Sequence, residues 1–224
     1  MSEGPNRQAA AGGMRAGTDP ERSQFARMGP ASDGEAWRED PRDFRAVVEV
    51  PEVLARDECD VLLSYIDRFG QVSGAVGAED GSAPGLDPEV RRVRQTTVPR
   101  SPDTAWVYER LAGAIDGCNR ELFGFDLRDF NEDLAIVDYR EGDFYEWHLD
   151  IGHAANSRKL SVSVMLSSPE DYDGGALAFP SAEFDRVPRG SAVVFPSFLL
   201  HGVQPVKRGR RCALLAWIGG PRFQ

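Results

Sequence analysis

Hydrophobic and polar positions follow two different periods along this chain. Residues 56–69 read RDECDVLLSYIDRF, where Cys59, Leu62 and Ile66 recur at helical spacing, and the pattern predicts a helix that ends at Gly70. A second apolar stripe predicts another helix, with Ser101 as its N-terminal cap and Gly124 at its end. Only these two stretches carry a convincing helical period.

The pattern changes from Leu134 onward. Short runs rich in β-branched and aliphatic residues alternate with turn signals such as DYDGG and PRGS, and the runs are LAIVDY, LSVSVML, ALAFP, AVVFP and ALLAWI. Such spacing is typical of antiparallel sandwiches and barrels. With a further short strand near residues 47–50, the sequence predicts a mainly β domain with two helices packed outside a double sheet.

The two remaining regions have no apolar period. Residues 1–44 are rich in Gly, Ala, Pro and charge, and predict a disordered N-terminal tail before a single domain over residues 45–224. Residues 71–98 are also rich in Gly, Ala and Pro and predict a long loop or a flexible hairpin. Because that loop precedes the strands with candidate chemistry, we interpret it as a lid.

Charge and composition exclude several classes of protein. The 224 residues include 26 Lys and Arg against 36 Asp and Glu, which gives a net charge of −10. Such acidity disfavours binding to nucleic-acid phosphates or an anionic membrane surface, and no apolar run is long enough to span a bilayer. The three cysteines are far apart, which argues against a disulfide framework or a Cys-only zinc site. Without a secretory signal, the expectation is a cytoplasmic protein.

The chain has only three histidines, and two of them lie beside partners suited to metal binding. In WHLD, His148 and Asp150 are two residues apart, so on an extended segment both side chains point to one face. His201 follows the apolar run FLL. Two imidazoles and one carboxylate match the facial triad of non-haem iron sites. His153 is either a fourth ligand or an ordinary surface residue.

Arg211 is a candidate anion ligand in the segment KRGRRCALLAWIGG. If a hairpin turns at Val206, Arg211 and His201 are neighbours across adjacent strands. An inward Arg needs an anion, and a ligand carboxylate would serve. Two alternatives stay open, namely that Arg211 faces solvent or that Arg210 faces inward after a one-residue slip. By strand alternation Cys212 lies on the face opposite to Arg211, where it is expected to be a small buried residue.

These residues occur in an order that resembles the 2-oxoglutarate/iron(II)-dependent dioxygenases, and most closely their prolyl 4-hydroxylase-like branch. The resemblance covers roughly residues 46–222. It consists of His148-x-Asp150, the distant His201, and Arg211 ten residues later. Tyr139 lies nine residues before the first histidine, and RKLSVSVMLSSPEDYDGGAL and GRRCALLAWIGG match two further segments of the pattern.

The resemblance implies a double-stranded β-helix, or jelly roll, with Fe(II) on His148, Asp150 and His201. It implies that 2-oxoglutarate chelates the iron while Arg211 holds its far carboxylate, with Tyr139 hydrogen bonding nearby and Trp217 walling the pocket. The implied reaction uses O2, with ascorbate as reductant, hydroxylates a C–H bond and releases succinate and CO2. The retained carboxylate ligand, Asp150, favours hydroxylation over halogenation.

Several alternatives stay open at this point. The substrate is either a peptidyl residue or a small molecule, because the strand LSVSVML lacks the aromatic residue found in some peptidyl-prolyl hydroxylases. A non-catalytic jelly-roll module that binds metal or an acid, and a cupin-type metalloenzyme that does not use 2-oxoglutarate, are the competing functions. The oligomeric state, and the choice among Fe(II), Mn(II) and Co(II), are left undetermined by these residue types.

Overall fold

The computed structural model describes residues 47–74, 85, 87–152 and 155–223. Helix α1 spans Arg56–Phe69 and ends before Gly70, as predicted, and the Glu58 carboxylate accepts a hydrogen bond from the Ala55 N–H at its start. Helix α2 spans Ala105–Cys118 and continues as a π-helical segment over Asn119–Phe123 to Gly124. It begins later than predicted because residues 101–104 form a turn, in which the Ser101 N–H donates to the Thr104 hydroxyl.

Fourteen strands are found among the described residues. In chain order they are β1 Val48–Val50, β2 Val72–Ser73, β3 Arg91–Arg92, β4 Arg94–Val98, β5 Asp129–Phe130, β6 Leu134–Arg140, β7 Phe144–His148, β8 Arg158–Met165, β9 Tyr172–Gly174, β10 Leu177–Phe179, β11 Ala182–Phe184, β12 Ala192–Pro196, β13 His201–Val203 and β14 Val206–Gly219. All five runs that the sequence assigned to strands after residue 134 lie wholly or mostly within strands.

The strands form two antiparallel sheets. The larger sheet has the order β1-β12-β8-β14-β6-β4-β2, with β5 and β9 also paired to β14. The smaller sheet has the order β11-β10-β13-β7-β3. Strands close in sequence are distributed between both sheets, which is the arrangement of a double-stranded β-helix. The predicted fold class is therefore confirmed.

Two apolar clusters hold the helices and sheets together, and β14 contributes to both by alternation. Leu214, which is fully buried, faces the cluster that joins the larger sheet to the helices, with Leu62 of α1 and Leu111 of α2. Ala213 faces the cluster between the two sheets, with Phe195 and Tyr139. Burial of each large aliphatic side chain contributes about 1.5–3 kcal/mol. The inner cluster surrounds the space where the candidate residues converge.

The hairpin predicted between His201 and Arg211 is wrong. Strand β13 pairs with β10 and β7, whereas β14 pairs with β6, β8, β9 and β5. Between them the chain passes from one sheet to the other, since the Gln204 N–H donates to the Ala176 carbonyl and the Pro205 carbonyl accepts from Gly175. The two residues therefore lie in different sheets.

Residues 71–98 were expected to form a long loop or a flexible hairpin, and the antiparallel pairing of β2 with β4 agrees with the hairpin. Strands β2, β3 and β4 lie within this range, and the Gly74 N–H donates to the Val93 carbonyl. The rest of the predicted lid, residues 75–84 and 86, lies outside the described residues, as does the predicted tail over residues 1–44 with its boundary at residue 45. In the described part of the chain, neither helix has the length and apolar character needed to cross a bilayer.

Candidate metal centre

The two histidines of the predicted triad face each other across adjacent strands. His148 ends β7 and His201 begins β13, and the two are direct cross-strand partners. Their ring centroids are 4.2 Å apart. Each ring is also held by an aromatic neighbour, since Tyr145 stacks on His148 at 3.5 Å and Phe195 packs edge-on against His201 at 4.6 Å. The small sheet thus places both imidazoles at one point on the inner face of the fold.

Asp150 completes the group from just beyond the end of β7. Its Oδ1 is 3.7 Å from His148 Nε2, and its Oδ2 is 3.5 Å from His201 Nε2. One ligand atom from each of the three residues lies within 4.8 Å of the others. The Asp150 N–H donates to the Ser197 carbonyl, and its own carbonyl accepts from Arg158 at 3.0 Å. The backbone of this residue is therefore fixed on both sides.

Hydrogen bonds to the backbone assign the tautomer of both rings. His148 Nδ1 is 2.8 Å from the Glu146 carbonyl, and His201 Nδ1 is 2.8 Å from the Leu199 carbonyl. A carbonyl only accepts, so each Nδ1 carries the proton and each Nε2 keeps its lone pair. Metal-bound histidines usually donate their other ring N–H to a carbonyl or a carboxylate in this way. Both Nε2 atoms point towards the Asp150 carboxylate.

The electrostatics of the group also favour a cation. Burial, together with the nearby His201, lowers the pKa of His148 to about 4, so this ring is neutral at physiological pH. Burial alone raises the pKa of the Asp150 carboxyl, but His201, His148 and the Ser161 hydroxyl together hold that pKa below its ordinary value. Two imidazoles and one carboxylate are the donor set of a non-haem Fe(II) site, and these residues fit such an ion.

A second cross-strand pair lies on the inner face of the larger sheet. Arg211 of β14 is the direct partner of Tyr139 of β6, and its guanidinium lies 5.5 Å from the centroid of that ring. Arg211 is only 3% exposed, and none of the ion pairs found among the described residues involves it. A buried guanidinium is costly without an anion, and no carboxylate among the described residues pairs with this one.

Close packing confines the Arg211 side chain. A Cβ on Gly175 would lie 2.9 Å from Arg211 Cδ, so only glycine fits there, and its φ of +66° also favours glycine. Burial raises the pKa of the Tyr139 phenol, on which the charges of Arg211 and Asp150 both act. Tyr139 is therefore within electrostatic reach of the metal group and of the guanidinium.

Trp217 lies on the same face of β14 and is half-buried. It is the cross-strand partner of Ser161, and the Arg158 guanidinium stacks over its ring at 4.3 Å. Arg158 in turn donates to the Asp150 carbonyl. Arg158 therefore links Trp217 to the backbone of the metal group.

The open alternatives around Arg211 are resolved by the register of β14. Arg210 points to the other face of the sheet, where it makes two hydrogen bonds to the fully buried Asp138. Cys212 also faces that side and is buried beside Asp138, as the alternation predicts. Arg211 is thus the inward residue. His153, considered as a fourth ligand, lies outside the described residues.

Sequence reasoning missed the residues that support the group. Ser161 and Ser197 are both buried, and the Ser161 hydroxyl donates to Asp150 Oδ2 at 2.6 Å. Tyr145 and Arg158 were also not singled out. The available signal was a polar residue at an inward position of the apolar strand β8, which alternation alone identifies.

Comparison with known proteins agrees with this geometry. A family model described as the 2OG-Fe(II) oxygenase superfamily matches residues 134–219, a range that includes all six candidate site residues. A PKHD-type hydroxylase of Synechococcus sp. (strain JA-2-3B'a(2-13)) is 36% identical over 93 residues, which are 38% of this chain and 42% of that protein. The match thus spans less than half the length of this relative.

Two further proteins match over a longer stretch. A PKHD-type hydroxylase of Cupriavidus metallidurans is 29% identical over 184 residues, covering 77% of this chain and 78% of that protein. The crystal structure of a Pseudomonas putida prolyl-4-hydroxylase superposes with a TM-score of 0.63 at 22% identity, covering 78% of this chain and 93% of that one. That likeness supports the double-stranded β-helix.

Proposed function

We propose that this chain, whose residues 134–219 match the family model of the 2OG-Fe(II) oxygenase superfamily, is an Fe(II)- and 2-oxoglutarate-dependent hydroxylase. Its substrate would be a C–H bond of a peptidyl residue or of a small molecule, and the co-products succinate and CO2. The observation that carries the proposal is the convergence of two Nε2 lone pairs and one carboxylate within 4.8 Å. The inward, buried Arg211 on the facing sheet adds a place for a dicarboxylate.

In this proposal His148, Asp150 and His201 would hold the iron through one ligand atom each. The bound Fe(II) supplies the O2-dependent chemistry that couples decarboxylation of 2-oxoglutarate to hydroxylation. Arg211 binds the far carboxylate of 2-oxoglutarate, because its guanidinium is buried and presents paired N–H donors. Tyr139 and Trp217 restrict the space around that co-substrate, and the phenol of Tyr139 stays protonated because burial raises its pKa.

The setting of the enzyme is also a proposal. Its three cysteines are free and buried, which suits a reducing compartment such as the cytoplasm. Ascorbate would serve as the reductant that returns iron to the Fe(II) state. The PKHD-type hydroxylases and the prolyl-4-hydroxylase to which the chain is similar support hydroxylation as the reaction class.

The test is a substrate screen that follows succinate formation from 2-oxoglutarate with Fe(II), O2 and ascorbate. Peptides containing proline and free small molecules are screened in parallel, and mass spectrometry detects products that have gained one oxygen. Asp150→Ala should abolish succinate formation, whereas Asp173→Ala should not, since Asp173 is exposed and paired with Arg208. Turnover that survives in Asp150→Ala would refute the assignment of the metal ligands.

A further inference from the structure

A pair of buried serines lies behind the Asp150 carboxylate, and neither belongs to the triad or to the co-substrate pocket. Ser161 of β8 is 2% exposed, and Ser197, which follows β12, is fully buried. The Ser161 hydroxyl donates to Asp150 Oδ2 at 2.6 Å, and its oxygen lies 3.0 Å from the Ser197 hydroxyl. A distance of 2.6 Å is typical of a charge-assisted O–H···O⁻ hydrogen bond.

The direction of this hydrogen-bond chain follows from proton counting. An ionised carboxylate only accepts, so Ser161 uses its single hydroxyl proton on Asp150. The contact between the two hydroxyls must then have Ser197 as the donor and Ser161 as the acceptor. The result is a directed relay from Ser197 to Ser161 to Asp150 Oδ2, in which each bond polarises the next.

The relay treats the two carboxylate oxygens differently. Oδ2 accepts the Ser161 hydrogen bond, whereas no donor among the described residues is hydrogen-bonded to Oδ1. The backbone of Asp150 is also fixed. Its N–H donates to the Ser197 carbonyl, and its carbonyl accepts from the Arg158 guanidinium. Oδ1 therefore keeps both of its lone pairs, whereas one lone pair of Oδ2 is engaged by the Ser161 hydroxyl.

The same serine connects Asp150 to the second histidine. Ser197 lies in the turn closed by the hydrogen bond from the Leu199 N–H to the Pro196 carbonyl, and the Leu199 carbonyl orients His201 through Nδ1. The Ser197 N–H is itself held by the Lys159 carbonyl of β8. One short turn thus fixes the positions of both ligands relative to β8.

We propose that Ser161, supported by Ser197, is a positioning residue that holds Asp150 as a monodentate ligand through Oδ1. Three protein ligand atoms leave three positions of an octahedral metal open, which is what a chelating co-substrate and O2 together require. If Asp150 bound through both oxygens, one of those positions would be lost. This inference rests on the proposed function, because it assumes that the three residues bind a metal.

The test uses Co(II), a spectroscopic substitute for Fe(II) that is stable in air, and needs no substrate. Ser161→Ala is expected to lower Co(II) affinity about ten- to hundredfold, the usual effect of losing a partner behind a metal ligand. It should also change the d–d absorption bands of bound Co(II), because the second carboxylate oxygen becomes free to coordinate. Ser197→Ala should cause a smaller loss in the same direction, since Ser161 keeps its bond to Asp150.

Ser163→Ala is the matched control. Ser163 lies two residues further along β8 on the same face and is also buried, but it makes no hydrogen bond to Asp150. It should leave both the Co(II) affinity and the spectrum unchanged. Thermal unfolding of the metal-free variants establishes that each variant is folded. A change in packing alone would alter the melting temperature and leave the d–d bands of bound Co(II) unaltered.

The outcomes separate this inference from the proposed function. If the wild type binds Co(II) and His201→Ala abolishes binding, the metal site stands whatever the serines do. A wild-type affinity and spectrum in Ser161→Ala would then overturn the positioning role, and so would an equal change in Ser163→Ala. Failure of the wild type to bind Co(II) would overturn both proposals.

Discussion

Arg211→Leu is expected to weaken 2-oxoglutarate binding without unfolding the protein. The side chain is 3% exposed, it stacks with Tyr139, and no ion pair among the described residues includes it. A leucine keeps much of the apolar stem, which lies against Gly175 and the inner cluster, and removes the charge. Since a buried cation without a carboxylate partner is costly, the free energy of unfolding should stay the same or increase in the metal-free protein.

The effect on 2-oxoglutarate is much larger. Removing one partner of a buried, hydrogen-bonded charge pair costs about 2–5 kcal/mol of binding free energy. At about 1.4 kcal/mol for each factor of ten, the apparent KM for 2-oxoglutarate should rise by at least about thirtyfold. Because the metal ligands are untouched, the affinity for Fe(II) or Co(II) should change far less.

The KM for 2-oxoglutarate is measured from steady-state succinate formation at varied 2-oxoglutarate concentration. The free energy of unfolding is measured by urea unfolding of the metal-free protein. Arg208→Leu is the control, since Arg208 lies on the same strand but is exposed and paired with Asp173. An unchanged KM for 2-oxoglutarate in Arg211→Leu would refute the role of Arg211. It would favour a metalloenzyme that does not use 2-oxoglutarate.

Three further predictions concern the same site. Gly175→Ala should cost about 1–3 kcal/mol in urea unfolding, because its φ is +66° and the new Cβ would lie 2.9 Å from Arg211 Cδ; unchanged stability would contradict this. The metal-free protein should lose up to about 3 kcal/mol of stability as pH falls from about 6.5 to about 4, because the folded state keeps the pKa of His148 near 4 and the unfolded chain takes up the proton first. His148→Gln should flatten that slope, and an unchanged slope would refute the assignment. Co(II) at a hundred times its Kd should stabilise the wild type by about 2.7 kcal/mol, an effect that EDTA reverses and His201→Ala abolishes; equal stabilisation of His201→Ala would place the ion elsewhere.

The fold was largely predictable from the sequence because its strands are short and separated by strong turn signals. Leu134 and Ala192 each open a run that lies within a strand. What local pattern did not reveal was the pairing. Residues 201–211 were read as a hairpin, but Gln204 and Pro205 bond to residues 175–176, so the chain changes sheet there. Pairing between distant strands depends on tertiary contacts that a local period does not contain.

The candidate site was predictable to the extent that its residues have distinctive chemistry. His148, Asp150 and His201 stand out because histidine is rare in this chain and His-x-Asp is a short, recognisable spacing. Arg211 could be chosen over Arg210 only once the register of β14 against β6 was known. The supporting serines could not be chosen, because serine is common and Ser161 and Ser197 are far apart in sequence.

The central claim is that His148, Asp150 and His201 bind one metal ion while Arg211 binds the far carboxylate of 2-oxoglutarate. The most direct measurement is a crystal structure of the protein with Mn(II) and 2-oxoglutarate, in which anomalous scattering locates the metal. We expect one ion bonded to both Nε2 atoms and to Asp150 Oδ1, with 2-oxoglutarate reaching from the ion to Arg211. A metal bound elsewhere, or a 2-oxoglutarate carboxylate that does not contact Arg211, would contradict it.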